Sequence, residues 1–185
     1  MSQKVLAIIP ARSGSKEVPN KNIKEINNKP LISWTIIEAK KSKKIDKLIV
    51  STDSEEYALI CKILNAEVPF LRPDNLSKDK SSSLEVVHHS IKWLKNNLDY
   101  EPDYILLLQP TSPLRTSKDI DKSINIALQN NADSVVSVEK VVKHPNYMRS
   151  INKKGLLINY LNQSQNHIRR QELDEVFILN GAIFL

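Results

Sequence analysis

The chain has 185 residues, 41% of them hydrophobic and 26% charged, and 27 Lys and Arg against 21 Asp and Glu give a formal net charge of +6. That balance excludes a disordered polyelectrolyte and a predominantly apolar membrane chain, and it is enough for one ordinary domain with a sizeable core. The single cysteine, Cys61, excludes an internal disulfide and a cysteine-built zinc cluster.

In chain order, Met1-Ser2-Gln3-Lys4 leads straight into Val5 to Pro10, an apolar run that reads as a strand. The opening lacks a signal-peptide cleavage site, and no apolar run approaches the ~20 residues of a bilayer span, so the expected location is the cytoplasm with no membrane partner. Pro30 heads a helix over Leu31 to Lys41, and the Lys40-Lys41, Lys43-Lys44 and Lys47 cluster at its end reads as a solvated face complementing the helix dipole. Leu48 to Thr52 reads as a strand, and Asp53 or Ser54 as the cap of a helix running to Leu64. Val68 to Arg72 reads as another strand. Leu84, Val87, Ile91, Leu94 and Leu98 place one apolar stripe on a helix opened by Ser81-Ser82-Ser83. Its His88 and His89 read as packed or half-exposed side chains, since no ligand partner stands at metal spacing. Trp34 and Trp93 read as packing residues. Tyr104 to Gln109 and Ser134 to Glu139 are strands flanking a helix over Asp119 to Gln129. This alternation predicts an α/β fold with a mainly parallel sheet. Beyond Glu139 the pattern changes to a hairpin, Tyr147 to Ile151 and Leu156 to Ile158 about Asn152-Lys153-Lys154-Gly155, after a turn at His144-Pro145. Val176 to Leu185 reads as a last strand, and its apolar end at Phe184-Leu185 points to a shortened chain.

Scarce residues mark the chemistry. Three glycines stand where average usage gives roughly 13, and 21 of the 27 basic residues are Lys. The polar motifs collect after strands, where open parallel sheets bind ligands: Arg12-Ser13-Gly14-Ser15-Lys16 with Pro19-Asn20-Lys21-Asn22, then Ser51-Thr52-Asp53, Arg72-Pro73-Asp74, and Gln109 to Arg115. Arg12, Lys16 and Lys21 surround small residues whose backbone amides can approach an anion closely. Three such cations can neutralise a triphosphate and stabilise a leaving pyrophosphate; in isolation the same loop reads more readily as a solvated basic surface.

Ile8 to Lys16 with Pro19 to Asn22 closely resembles the signature of the acylneuraminate (CMP-sialic acid) cytidylyltransferases. The resemblance continues through Ile49 to Asp53, Leu71-Arg72-Pro73, Leu107 to Thr116, Arg170 to Leu173 and Asn180 to Ile183, in the family's order. It implies a Rossmann-like three-layer nucleotidyltransferase fold with a small β-hairpin dimerisation region. Residues 1–185 would form a single cytidylyltransferase-like domain with that insert at about 140–175, the family domain's C-terminal part being absent. The implied activity is transfer of CMP from CTP to an acidic nine-carbon sugar, a nonulosonic acid, with Mg²⁺ and release of pyrophosphate.

By the same resemblance Arg12 and Lys21 are the catalytic cations, and Arg12, Ser15, Lys16, Lys21, Asn22, Arg72 and Ser83 bind the nucleotide. Arg72 would help recognise the cytosine. Gln109 faces the sugar acid, and Arg170 serves it across a homodimer interface. Three departures stand out. Glu17 replaces a glycine or basic residue, Asp174 replaces a proline, and the family's metal-binding Asp-x-Asp pair lies past Leu185, leaving the metal ligands unassigned. Asp53 is an acidic residue near the site whose expected role is the helix cap.

Competing readings are a nucleic-acid binder, a non-catalytic CTP-binding remnant and an enzyme for an eight-carbon acid sugar. The first lacks aromatics among its basic residues and any recognition motif, so no nucleic-acid partner is expected. Gln109 stands against the third, which carries an acidic residue there.

Overall fold

The computed structural model describes residues 3–79, 81–161 and 169–185, without the side chain of Arg170. The chain divides into two compact units, Met1–Ser137 with Gly181–Leu185, and Val138–Asn180.

In chain order the elements of the first unit begin with β1 (Val5–Pro10), a two-residue hairpin of β2 (Glu25–Ile26) and β3 (Lys29–Pro30), and helix α1 (Leu31–Lys41). Then come β4 (Lys47–Ser51), α2 (Glu55–Ile63), α3 (Ser83–Leu98), β5 (Tyr104–Leu107) and α4 (Ser117–Asn130). β6 (Val136–Lys140) and β9 (Phe177–Phe184) each continue from one unit into the other. The strands order as β4-β1-β5-β9-β6, with β1 parallel to both β4 and β5 and β9 antiparallel to β5. The sheet is therefore mainly parallel, as the alternation predicts.

Strand alternation sorts the β1 side chains into two cores. Val5, Ala7 and Ile9 pack with Ile32 and Ile36 of α1, Cys61 of α2 and Ile120 and Ile124 of α4. Leu6 and Ile8 face the other way, to Leu94 of α3 with Phe70, Val87 and Ile91. The result is three layers, helix–sheet–helix. Each fully buried Leu or Ile contributes about 1.5–3 kcal/mol of transfer free energy, so β1, buried along nearly its whole length, is the axis of the unit. Burial also pushes the Cys61 thiol up to about 12, which suits an inert core residue.

Helix starts follow local chemistry. Ser82 and Glu85 form a capping box on α3, and Thr116 and Asp119 form one on α4. Four expectations need correction. The stretch from Val68 to Arg72 makes only one isolated parallel bridge, Thr52 with Leu71, a second joining Ile49 to Glu67 just before it, instead of a strand, because Pro69 has no N–H to donate to a ladder. The deepest positions of α3 are Val86, Ser90 and Leu94, while Leu84 and Leu98 at its ends are exposed. Pro30 is the N-cap of α1, one residue ahead of the first turn. Lys40 is no mere solvated charge: its Nζ donates to the carbonyls of Leu64 and Asn65 just past α2, and Lys47 pairs with Glu67.

In the second unit, residues 145–147 form a short 3-10 turn capped by His144. The antiparallel hairpin of β7 (Arg149–Ile151) and β8 (Leu157–Asn159) follows, about Gly155 at φ 79°. The bulk of its large apolar side chains are exposed, Val142, Ile151, Leu157 and Tyr160 among them. No helix among the described residues is long and apolar enough to cross a membrane.

Candidate functional site

Sheet order β4-β1-β5 makes the crevice past the carboxyl ends of β1 and β5 the topological switch point, where the connection out of β1 runs to one neighbour and the next strand lies on the other side. A cavity of about 240 Å³ lies there. Pro10 ends β1 at its wall, the loop after β1 contributes Arg12, Ser15, Lys21 and Asn22, and Gln109 to Thr111 follow β5. Arg72, Leu76 and Lys78, with Ser81 to Ser83 at the start of α3, complete the lining.

Its charge is one-sided: among the described residues four cations line it and no carboxylate does. Arg72 is buried, with Nε donating to Ser51 Oγ at 3.1 Å and Nη2 to the Ser51 carbonyl. Burial pulls its pKa down to about 10, with Asp53 opposing and Arg12 assisting that shift. Its Nη1 carries no hydrogen bond among the described residues, so a cation sits at the cavity wall with donor capacity unspent. Lys21 makes no ion pair among the described residues. The 16-residue α3 directs its N-terminal end, the positive end of its dipole, at the same space through Ser82 and Ser83.

The loop after β1 is held from behind. Asn22 is buried and its Nδ2 donates to the Arg12 carbonyl at 3.0 Å. Asp53 does not cap α2. Ser54 does, accepting from Tyr57 N, while Asp53 takes the Ser13 N–H at 2.8 Å and the Ser13 hydroxyl at 3.0 Å. Ser15 N donates to the Ser13 carbonyl at 2.8 Å. Two of the three amides expected to meet an anion are thus taken, and a Cβ at Gly14 would meet nothing within 4 Å. The cradle is made of cationic side chains, not a backbone nest.

Gln109 is set by a buried guanidinium. Arg115 donates to the Gln109 carbonyl through both terminal nitrogens at 3.3 Å, to Ala182 O at 2.5 Å and to Thr35 Oγ1 at 2.8 Å. Across from it Gly181 adopts φ 75°, and a Cβ there would stand 3.4 Å from Gln109 Oε1. His89 packs edge-on to Phe70, centroids 4.6 Å apart, and burial lowers its pKa, as expected of a packed histidine.

Of the expected site residues, Arg12, Ser15, Lys21, Asn22, Arg72, Ser83 and Gln109 line the one cavity. Lys16 does not. It is largely exposed and, with Arg12, pairs with Asp79, whose carboxyl these two cations hold below its usual range. Arg170 opens a short turn over Arg170–Glu172, and its side chain lies outside the described residues. Sequence reasoning missed Lys78, Asp79 and the clamp role of Arg115. The charges in Lys78-Asp79, six residues past Arg72 in a loop at the ligand edge, were the available signal. No three His, Cys, Asp or Glu side chains converge as a metal group among the described residues; Asp53 is spent on Ser13 and Asp79 on Arg12 and Lys16, so this donor set does not fit a protein-built Mg²⁺ site.

The profile of the cytidylyltransferase family matches residues 6–178. Over 184 residues the chain is 37% identical to the CMP-N,N'-diacetyllegionaminic acid synthase of Legionella pneumophila, covering 98% of this chain and 77% of that one. It is also 37% identical to the N-acylneuraminate cytidylyltransferase of Streptococcus agalactiae serotype III, covering 98% of this chain and 43% of that one, less than half its length. A solved CMP:2-keto-3-deoxy-manno-octonic acid synthetase complexed with CTP shares the fold, with a TM-score of 0.71 at 17% identity over 98% of this chain and 73% of that one.

Proposed function

Since the chain belongs to the cytidylyltransferase family, we propose that it transfers CMP from CTP to the anomeric hydroxyl of a nonulosonic acid of the sialic, legionaminic or pseudaminic type, releasing pyrophosphate. The observation that carries this reading is the cavity at the switch point, lined among the described residues by Arg12, Lys21, Arg72 and Lys78 without a carboxylate. Such a rim suits a polyanion: charge-assisted contacts of this kind contribute roughly 1.5–3 kcal/mol each.

In the proposed reaction Arg12 and Lys21, with Lys16 at the outer edge, hold the triphosphate and stabilise the charge gathering on the leaving pyrophosphate. Ser15 and Ser83 add hydroxyl and helix-start contacts to the nucleotide. Asn22 acts through the Arg12 carbonyl it grips, fixing the loop. Arg72 offers the nitrogen not tied to Ser51 to the pyrimidine carbonyl. Gln109, held by Arg115, meets the sugar acid, and Arg170 is assigned to the same sugar. Mg²⁺ belongs to the proposal as an ion carried by the CTP phosphates, in keeping with its habit of binding through substrate oxygens; no residue is assigned to it and no step is routed through it.

The exposed apolar side chains of the Val138–Asn180 unit support a homodimer formed through that unit, and the proposed setting is the cytoplasm, where CTP is available. The test is direct. Incubation with CTP, Mg²⁺ and a panel of sialic, legionaminic and pseudaminic acids, with pyrophosphate measured, is expected to show release with at least one sugar. Release with none of them overturns the reading.

A further inference from the structure

Two of the site's cations already hold an anion. Asp79, on the segment between the 74–76 turn and α3, accepts from Arg12 Nη1 at 2.7 Å through Oδ1 and pairs with the Lys16 ammonium through Oδ2. Around it Leu76 of that turn, Lys78, Ser81 and Ser82 of the segment, and Ser83 at the start of α3 line the cavity. One carboxylate therefore spans the guanidinium and ammonium groups that the proposed function assigns to phosphate. We infer that Asp79 is a resident counter-ion of the polyphosphate site, an affinity-setting residue that the nucleotide's phosphates must displace from Arg12 and Lys16.

This inference rests on the reading of the cavity as the CTP site, and it adds a residue that nothing in that reading uses. The chemistry is a competition. Carboxylate and phosphate oxygens seek the same charge-assisted N–H donors, and a guanidinium fork serves either one. With Asp79 on the cations the site is closed to phosphate, and with Asp79 off it is open. The apparent dissociation constant is the intrinsic one divided by the open fraction. Every ligand whose phosphates use these two cations is weakened by the same factor.

The pair is ill suited to a structural role. Arg12 and Asp79 are each about one-third exposed and Lys16 is 81% exposed, and ion pairs this open to water stabilise a fold little. They are also easily exchanged, which a displaceable counter-ion requires. The opposite possibility is that Asp79 preorganises Arg12 and Lys16 for the phosphates. It has the opposite sign, because removing the carboxylate would then weaken binding.

The experiment is CTP titration calorimetry on the wild-type chain, Asp79→Asn and Glu17→Gln, with pyrophosphate as a competitor in each. Glu17 is an exposed charge beside Lys16, so its variant reports the effect of charge removal without loss of the bridge. Asp79→Asn is expected to bind CTP roughly 3–10-fold more tightly, with pyrophosphate gaining by the same factor and Glu17→Gln gaining less. Unchanged or weaker CTP binding by Asp79→Asn, or an equal gain in Glu17→Gln, overturns the counter-ion while leaving the CTP site intact. A wild-type chain that binds neither CTP nor pyrophosphate overturns the site and the counter-ion together.

Discussion

The two units solve the burial problem differently. In Met1–Ser137 the β1 side chains disappear into helix-covered cores on both faces, whereas all three residues of β8 and the first four of β9 are exposed, Leu157, Phe177 and Leu179 among them. The first unit covers both faces of β1 and carries a cationic rim at the sheet edge, where Arg12 is paired with Asp79 and Lys21 makes no ion pair among the described residues. Among its described residues the second leaves apolar side chains exposed, and the proposed dimer rests on them.

The largest expected effect lies at the rim. Lys21→Ala, a cavity residue with no described ion pair, should lower pyrophosphate release at least ~100-fold, with circular dichroism and Tm close to wild type. Unchanged turnover would remove Lys21 from the chemistry. The second unit gives the next effect. The wild-type chain should scatter light as a dimer at ~10 μM, and Leu157→Asp, a charge placed on an exposed apolar strand, should give a folded monomer. A wild-type monomer, or a variant that stays dimeric, breaks the contrast between the units.

Smaller effects sharpen it. Arg115→Met strands the Gln109, Ala182 and Thr35 acceptors, and should cost about 2–3 kcal/mol and so roughly 5–10 °C in Tm. The cost is held down because the buried charge, its pKa pulled to about 10 by desolvation, is itself unfavourable. Thr116→Ala removes the α4 capping box and should cost about 1 kcal/mol, a Tm fall of roughly 2–4 °C with the kinetics of the rim unaltered. A larger loss from Thr116→Ala than from Arg115→Met would invert the ranking of buried over exposed contacts.

The fold was legible wherever one local rule governed. The β1 run has apolar residues on both faces because helices cover both, and Ser82 announces the start of α3 by its own hydroxyl, whereas Thr116 opens α4 two residues ahead of the expected start at Asp119. The site was legible as a gathering of loops because parallel strands deliver their carboxyl ends to one edge. What the sequence hid depends on three-dimensional pairing. Asp53 stands at the right place for a cap, yet Ser54 takes that role and frees Asp53 for Ser13, some 40 residues away. Asp79 and Arg12 are 67 residues apart, and no spacing rule joins them. Pro69, by contrast, was a visible objection to a strand between Val68 and Arg72 that apolar content outweighed.

The central claim is that the cationic rim grips the triphosphate of CTP. A crystal structure of the chain grown with CTP tests it most directly. The phosphates are expected between Arg12 and Lys21, with Asp79 released from Arg12; phosphates bound elsewhere, or an empty rim at saturating CTP, would contradict that claim.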